Sequence, residues 1–220
     1  MTRLDGGFIG LAPNVERMSE GERDDGRIDT DLFITVSGPP GCGVTTLCEQ
    51  LSERLNCGYA SGGEVFREIA EERGMSLTQL TAEASGSDEL DRKLDRRLQQ
   101  IAEKWGGADR AFVLESRLAG YIAAGHADLR IWLDAPEEVR VDRTSDREEI
   151  SAEMRVREVI EEKRYETYYG VDLGNRSFYD LSINTARWSP EGVLSIVVAA
   201  IESYDSEADE GPFETPDLNL

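Results

Sequence analysis

Gly38-Pro39-Pro40-Gly41-Cys42-Gly43-Val44-Thr45 is the stretch on which the rest of this chain turns. Just before it, Leu32-Phe33-Ile34-Thr35-Val36 is β-rich and uncharged, as a strand buried on both faces has to be. Just after it, Leu47, Leu51 and Leu55 recur four apart within Thr45 to Leu55 and mark one face of a helix. Strand, glycine turn and helix in that order are the setting of a phosphate-binding loop. Gly38, Gly41 and Gly43 let the backbone turn tightly and offer N–H groups to phosphate oxygens, with Pro39 and Pro40 between them, while the helix adds the positive end of its dipole. Thr45, followed by Thr46, supplies the hydroxyl that such loops give to Mg²⁺. The place of the usual lysine holds Val44. A lost charged donor of this kind costs about 10²- to 10³-fold in rate, so binding rests on backbone amides and metal, or on an arginine from elsewhere. Cys42 has two readings, a thiol made acidic by the helix N-terminus or a residue merely small enough to fit.

Outward from the loop, strand-like runs recur at Ala111 to Leu114, Leu129 to Leu133 and Leu181 to Asn184, with a short one near Tyr59. Helical stretches lie between them: Glu64 to Arg73, Glu89 to Lys104 (Leu90, Leu94, Leu98 and Ile101 in step), Glu137 to Asp146, Ala152 to Tyr169 and Pro190 to Glu202. Strands alternating with helices predict an α/β fold, a parallel sheet covered by helices on both faces, with ligands at the carboxyl ends of the strands. One domain spans residues 31–202, and acidic or irregular segments at 1–30 and 203–220 are expected to be disordered tails.

Composition narrows the partners. With 24 Lys and Arg against 45 Asp and Glu, the net charge of -21 argues against a wide basic surface for nucleic acid or anionic lipid. Lysine is confined to Lys93, Lys104 and Lys163, a composition that resembles proteins working in concentrated salt. Cys42, Cys48 and Cys57 make neither a disulfide framework nor a metal-spaced pair, and His126 is the only histidine, which argues against zinc or a histidine triad. No apolar run reaches membrane-spanning length, and the patch at Phe8 to Leu11 is too brief for a signal peptide, so a cytoplasmic monomer is the default expectation.

Further motifs follow in order: Ser61-Gly62-Gly63-Glu64-Val65-Phe66-Arg67, Leu114-Glu115-Ser116-Arg117-Leu118-Ala119-Gly120, Ile131-Trp132-Leu133-Asp134-Ala135-Pro136, Lys163-Arg164-Tyr165 with Tyr169-Gly170-Val171-Asp172, and Asn184-Thr185-Ala186-Arg187-Trp188-Ser189-Pro190. Together they resemble the archaeal branch of the cytidylate kinase family, within the nucleoside monophosphate kinases, from about Leu32 to Glu202. The resemblance implies a P-loop core with an acceptor-binding insert (about 61–104) and a lid (about 143–170), moving the γ-phosphoryl of ATP to CMP or dCMP with Mg²⁺. It implies Arg67 and Arg117 as clamps on the acceptor phosphate, Ser61 and Gly62 in the acceptor pocket, and Glu115 near the metal through water. Arg157 and Arg164, then Arg143 and Arg147, are the lid arginines it implies, with Arg117, Arg157 and Arg164 forming the catalytic set. Guanidinium suits these places because its fork binds phosphate oxygens in pairs.

Bland readings stand beside these. Arg67 is spaced to pair with Glu71, and the arginines from Arg140 to Arg164 lie among Glu153, Glu158, Glu161 and Glu162 at salt-bridge spacing. Asp172 and Asp180 are weaker candidates for holding lid arginines or nucleoside, and the Asp88, Asp91, Asp95, Arg96, Arg97 face reads mostly as solvated surface. Two further functions stay open: a nucleotide-binding paralogue with little or no turnover, acting as sensor or partner, and a kinase for another nucleoside monophosphate.

Overall fold

The computed structural model describes residues 27–84, 88–108, 110–144, 151–210 and 218. Five parallel strands form one sheet: β1 Phe33–Ser37, β2 Gly58–Ser61, β3 Phe112–Glu115, β4 Leu129–Asp134 and β5 Leu181–Asn184, in the order β2-β3-β1-β4-β5. The apolar run that predicts a buried strand is β1, and all five of its residues are buried at the centre of the sheet. The chain leaves β1 for the β2 and β3 side, then crosses to β4 and β5, so β1 sits at the switch where such sheets bind ligands.

Alternation along the strands sorts the core into two layers. Ile34, Val36, Val113, Ile131 and Leu133 pack with helices α1 (Val44–Leu55) and α8 (Pro190–Glu202), which bring Leu47, Leu51, Val193 and Val197. On the other face Phe33, Phe112, Leu114 and Trp132 pack with α2 (Gly62–Glu72), α4 (Asp88–Gly106) and α5 (Ala119–Ile122). Two short helices escape the sequence pattern. Helix α3 (Leu77–Ala84) carries a capping box at its start, Ser76 Oγ accepting from Gln79 N at 3.2 Å and Ser76 N donating to Gln79 Oε1 at 2.9 Å. Helix α5 is a single turn of four residues, too short for a period to show. Helices α6 (Glu137–Thr144) and α7 (Ser151–Tyr169) complete the set. No helix among the described residues is long and apolar enough to cross a membrane.

The ordered part begins earlier than Leu32. Ile28 N donates to Arg54 O at 3.1 Å, and the Ile28 side chain packs on the α1 and α8 layer together with Tyr204. The remainder of the 1–30 and 203–220 tail assignments falls largely outside the described residues.

Of the α4 face expected to be mostly solvated, Arg96 is exposed and Arg97 pairs with Glu72 of α2, but Asp91 and Asp95 are met by α7. Asp91 and Asp95 are buried. Arg164 Nη1 meets Asp91 Oδ2 at 2.7 Å, Tyr169 OH donates to Asp95 Oδ2 at 2.8 Å, and the Arg92 guanidinium lies 5.0 Å from the Tyr168 ring centre. Burial raises the Asp95 carboxyl from 3.8 to about 6, against the pull of the Tyr169 hydroxyl. The native state therefore holds this proton more tightly than the unfolded chain, and stability falls as pH rises from about 4 to about 6. The full effect is on the order of 3 kcal/mol. Asp95→Asn is expected to flatten this part of the stability profile in urea titrations at fixed salt. A slope unchanged from the parent would show that the carboxyl is not desolvated.

Candidate active site

The loop after β1 leaves the sheet under a tight steric limit. A β-carbon on Gly41, whose φ is +81°, would lie 2.6 Å from the Arg140 carbonyl oxygen, so only glycine fits. Gly43, also left-handed at φ 93°, is the N-cap of α1 and offers no side-chain cap. The first N–H groups of α1 consequently have no intrahelical acceptor.

Four successive loop carbonyls, by contrast, each receive a donor. Pro39 O accepts from Cys42 N at 3.3 Å and from Cys42 Sγ at 2.7 Å. Pro40 O accepts from Arg140 Nη1 at 3.2 Å, Gly41 O from Arg143 Nη1 at 3.4 Å, and Cys42 O from Thr185 Oγ1 at 2.9 Å. Satisfying the carbonyls in this way leaves the amides for an anion.

Each of these donors is itself fixed. Arg140, buried, donates from Nε to Ala135 O at 3.1 Å and pairs through both Nη groups with Glu158 of α7. Arg143 also donates to Thr185 Oγ1 at 2.9 Å and to Thr185 O at 3.1 Å. Thr185 opens the 3₁₀ turn Thr185–Arg187 that follows β5. Burial pushes the Cys42 thiol up to about 12, which favours the bland reading of this residue. Val44 packs with the α1 layer, and a β-carbon on Gly38 would lie 3.1 Å from its Cγ2.

Beside the loop, Glu115 closes β3. Its Oε1 accepts from Thr45 Oγ1 at 2.8 Å and its Oε2 from the Tyr59 hydroxyl. Burial lifts the Glu115 carboxyl above the ordinary carboxylate range, and the two hydroxyl donors oppose the rise. Thr45 and Glu115 thus stand together where a magnesium ion could be held, with hard oxygen donors of the right chemistry. Tyr59 is the functional neighbour that the motifs did not mark. Its signal is positional: Ser61 pairs with Glu115 in register, so Tyr59, two residues back, shares a face with Glu115.

The other sequence candidates scatter in instructive ways. Ser61 Oγ is the N-cap of α2, accepting from Glu64 N at 3.1 Å, and Gly62 lies against Ser116, whose Cβ would be 3.3 Å from an added β-carbon. Arg67 has no acid partner among the described residues, so its spacing to Glu71 produces no ion pair. Arg117 pairs with Glu161 and Arg164 with Asp91. Thr46 is exposed on α1. Arg147 and the side chain of Arg157 lie outside the described residues. Asp180 binds Arg130, with Oδ2 accepting from Arg130 N at 2.6 Å and from Arg130 Nε at 3.2 Å, while Asp172 Oδ1 accepts from Gly174 N at 2.7 Å. Among the described residues, neither aspartate meets an arginine of the 143–170 segment.

A parallel sheet with a phosphate-type loop on its central strand, and a hydroxyl–carboxylate pair beside that loop, defines a kinase of the P-loop class. The solved shikimate kinase of Bacteroides thetaiotaomicron has the same fold, with a TM-score of 0.54 at 15% identity over 78% of this chain and 98% of that one. A gluconokinase from Sinorhizobium meliloti scores 0.52 at 14% identity, over 80% and 94%. The chain belongs to the cytidylate kinase-like family, whose model matches residues 33–187, and with it to the nucleoside monophosphate kinases. It is 48% identical over 185 residues to a cytidylate kinase of Haloarcula marismortui, covering 82% of this chain and 94% of that protein. It is 46% identical over 185 residues to one from Pyrococcus horikoshii, covering 82% and 93%. The first of these comes from a salt-loving archaeon, in keeping with the acidic composition.

Two outcomes follow from the geometry. Tyr59→Phe removes a donor that orients Glu115 and is expected to weaken Mn²⁺ binding to the protein–ADP complex about tenfold, read by electron paramagnetic resonance. Unchanged Mn²⁺ affinity would separate Tyr59 from the metal site. Arg140→Ala leaves Glu158 and the Pro40 carbonyl without their buried donor and should cost about 3 kcal/mol of stability. In a thermal melt that is a fall of roughly 6–12 °C; a fall within about 2 °C would mean that the pair contributes little.

Proposed function

We propose that the chain transfers the γ-phosphoryl group of ATP to CMP or dCMP. The observation that carries this reading is the family match over residues 33–187, which runs through the loop, Glu115, Arg117 and α7. The relatives named as cytidylate kinases match over 185 residues, 82% of this chain.

Each part then has a task. Loop amides between Gly41 and Thr46, other than Cys42 N, which is given to Pro39 O, hold the donor phosphates, with the α1 N-terminus behind them. Thr45, and Glu115 through water, would hold Mg²⁺, which neutralises charge on the phosphate oxygens when bound. Arg67, without an acid partner among the described residues, takes the acceptor phosphate, and the acceptor lies over Ser61 and Gly62. Because Ser61 Oγ caps α2, its contribution there is to shape the pocket. Arg117, Arg157 and Arg164, with Arg143 and Arg147 at the lid, supply positive charge around the transferred group. Transfer is direct and in line, with no covalent intermediate and no essential base, since phosphoryl transfer is governed by positioning and charge. Closure of the insert (about 61–104) and the lid (about 143–170) over both substrates excludes water.

One observation favours a second function. Val44 removes the loop's own cation, which would suit a nucleotide-binding protein with little turnover. A coupled assay at high salt with ATP, Mg²⁺ and a panel of nucleoside monophosphates separates the two. CMP and dCMP are expected to be phosphorylated at least about tenfold more efficiently than AMP or UMP. ATP binding without transfer to any acceptor would establish the binding protein instead, and preference for a different acceptor would reassign the substrate.

A further inference from the structure

Arg117 and Glu161 form an ion pair, Nε to Oε2 at 3.2 Å, with each side chain only 14% exposed. The pair joins the turn after β3 to the middle of α7. Its position matters because the phosphate loop has no cation of its own at Val44. Among the described residues two other arginines reach the loop, and both are engaged on its carbonyl side. Arg140 is bound to Pro40 O, Ala135 O and Glu158, and Arg143 to Gly41 O and Thr185. Arg117 approaches differently, standing two residues beyond Glu115, whose carboxylate accepts from Thr45 of the loop. Among the charges acting on the Cys42 thiol inside the loop, that of Arg117 is the strongest. Its guanidinium has a single partner among the described residues, and that partner is a carboxylate, the protein group that best imitates two phosphate oxygens.

We propose that Arg117 does the work of the missing amino group at position 44, and that Glu161 is its resting counter-ion, displaced when a phosphate binds. The inference rests on the nucleotide kinase reading. A largely buried guanidinium is costly to leave unpaired, so an arginine waiting beside the loop needs an anion. Glu161 serves, and a more highly charged phosphate exchanges for it on the same donors. Glu161 is thus a positioning residue that competes with phosphate, and its release uncouples α7 from the turn after β3.

Pyrophosphate binding, measured by calorimetry at fixed high salt, tests this without relying on turnover. Glu161→Gln is expected to bind pyrophosphate about 3- to 10-fold more tightly than the parent, the range for a partly screened charge pair. Arg117→Gln should bind it more weakly, and Arg117→Gln with Glu161→Gln should equal Arg117→Gln alone. A double variant as much improved over Arg117→Gln as Glu161→Gln is over the parent would show that Glu161 acts by general repulsion, and would overturn the exchange. Where Glu161→Gln alone does not fold, the double variant is set against Arg117→Gln only: equal affinities support the exchange, and tighter binding by the double variant overturns it. Val44→Lys should make Arg117→Gln less damaging to pyrophosphate affinity, and equal losses with valine and lysine at position 44 would overturn the replacement. A chain that shows this coupling but phosphorylates no CMP keeps the inference and loses the acceptor assignment. A chain that phosphorylates CMP without the coupling loses only the inference.

Discussion

The constraint on which this site depends is that a loop can present amides to an anion only if its carbonyls are satisfied elsewhere. Between Pro39 and Cys42 every carbonyl finds a donor, and the donors come from three parts of the chain: the loop itself, α6 twice, and the turn after β5. Each is held by a further contact, as Arg140 is by Glu158 and Arg143 by Thr185. A backbone of left-handed glycines loses much entropy on ordering. Here that loss is offset outside the binding surface, so the amides need little rearrangement when phosphate arrives.

This arrangement explains how Arg140 and Arg143 can crowd a loop that lacks a lysine without substituting for it. Arg140 and Arg143 hold carbonyls and acid, so their charge is turned to architecture. In a chain of net charge -21, guanidiniums near the site readily meet carboxylates: Arg117 with Glu161, Arg140 with Glu158, Arg164 with Asp91. Arg143, held by Gly41 O and Thr185, and Arg67, on the helix after the Ser61-Gly62 turn, meet none among the described residues.

The sequence disclosed those features that depend on local pattern. β1 was legible because a strand buried on both faces must be apolar throughout, and α8 because Ser189 and Pro190 mark its start and Ser189 Oγ caps Gly192 N at 3.1 Å. The loop was legible because its glycines answer to backbone geometry alone. What stayed hidden depends on which distant elements meet. Asp91 and Asp95 look like solvated helix charges until α7 lies over them. Tyr59 is an ordinary strand residue until β2 pairs with β3 in a register that aligns Ser61 with Glu115. Asp180, with no local mark, turned out to serve a core arginine. Helix α3 had a readable signal in Ser76 and Gln79, a capping box with too few apolar repeats behind it to be noticed.

The contacts between α4 and α7 bear on how such a site can open. Arg164 with Asp91, Tyr169 with Asp95, and Arg92 over Tyr168 tie α4 to α7 rather than either helix to the sheet. Any opening that separates the two helices has to break a partly buried ion pair and expose an aspartate that burial favours in its protonated form. An opening that moves them as one body keeps all three contacts and has to release only what holds α7 to the core. Arg117 with Glu161 and Arg140 with Glu158 are two such attachments, and both end at the phosphate loop or beside it. The loop and α7 are therefore joined through the same two carboxylates, one turn apart on that helix.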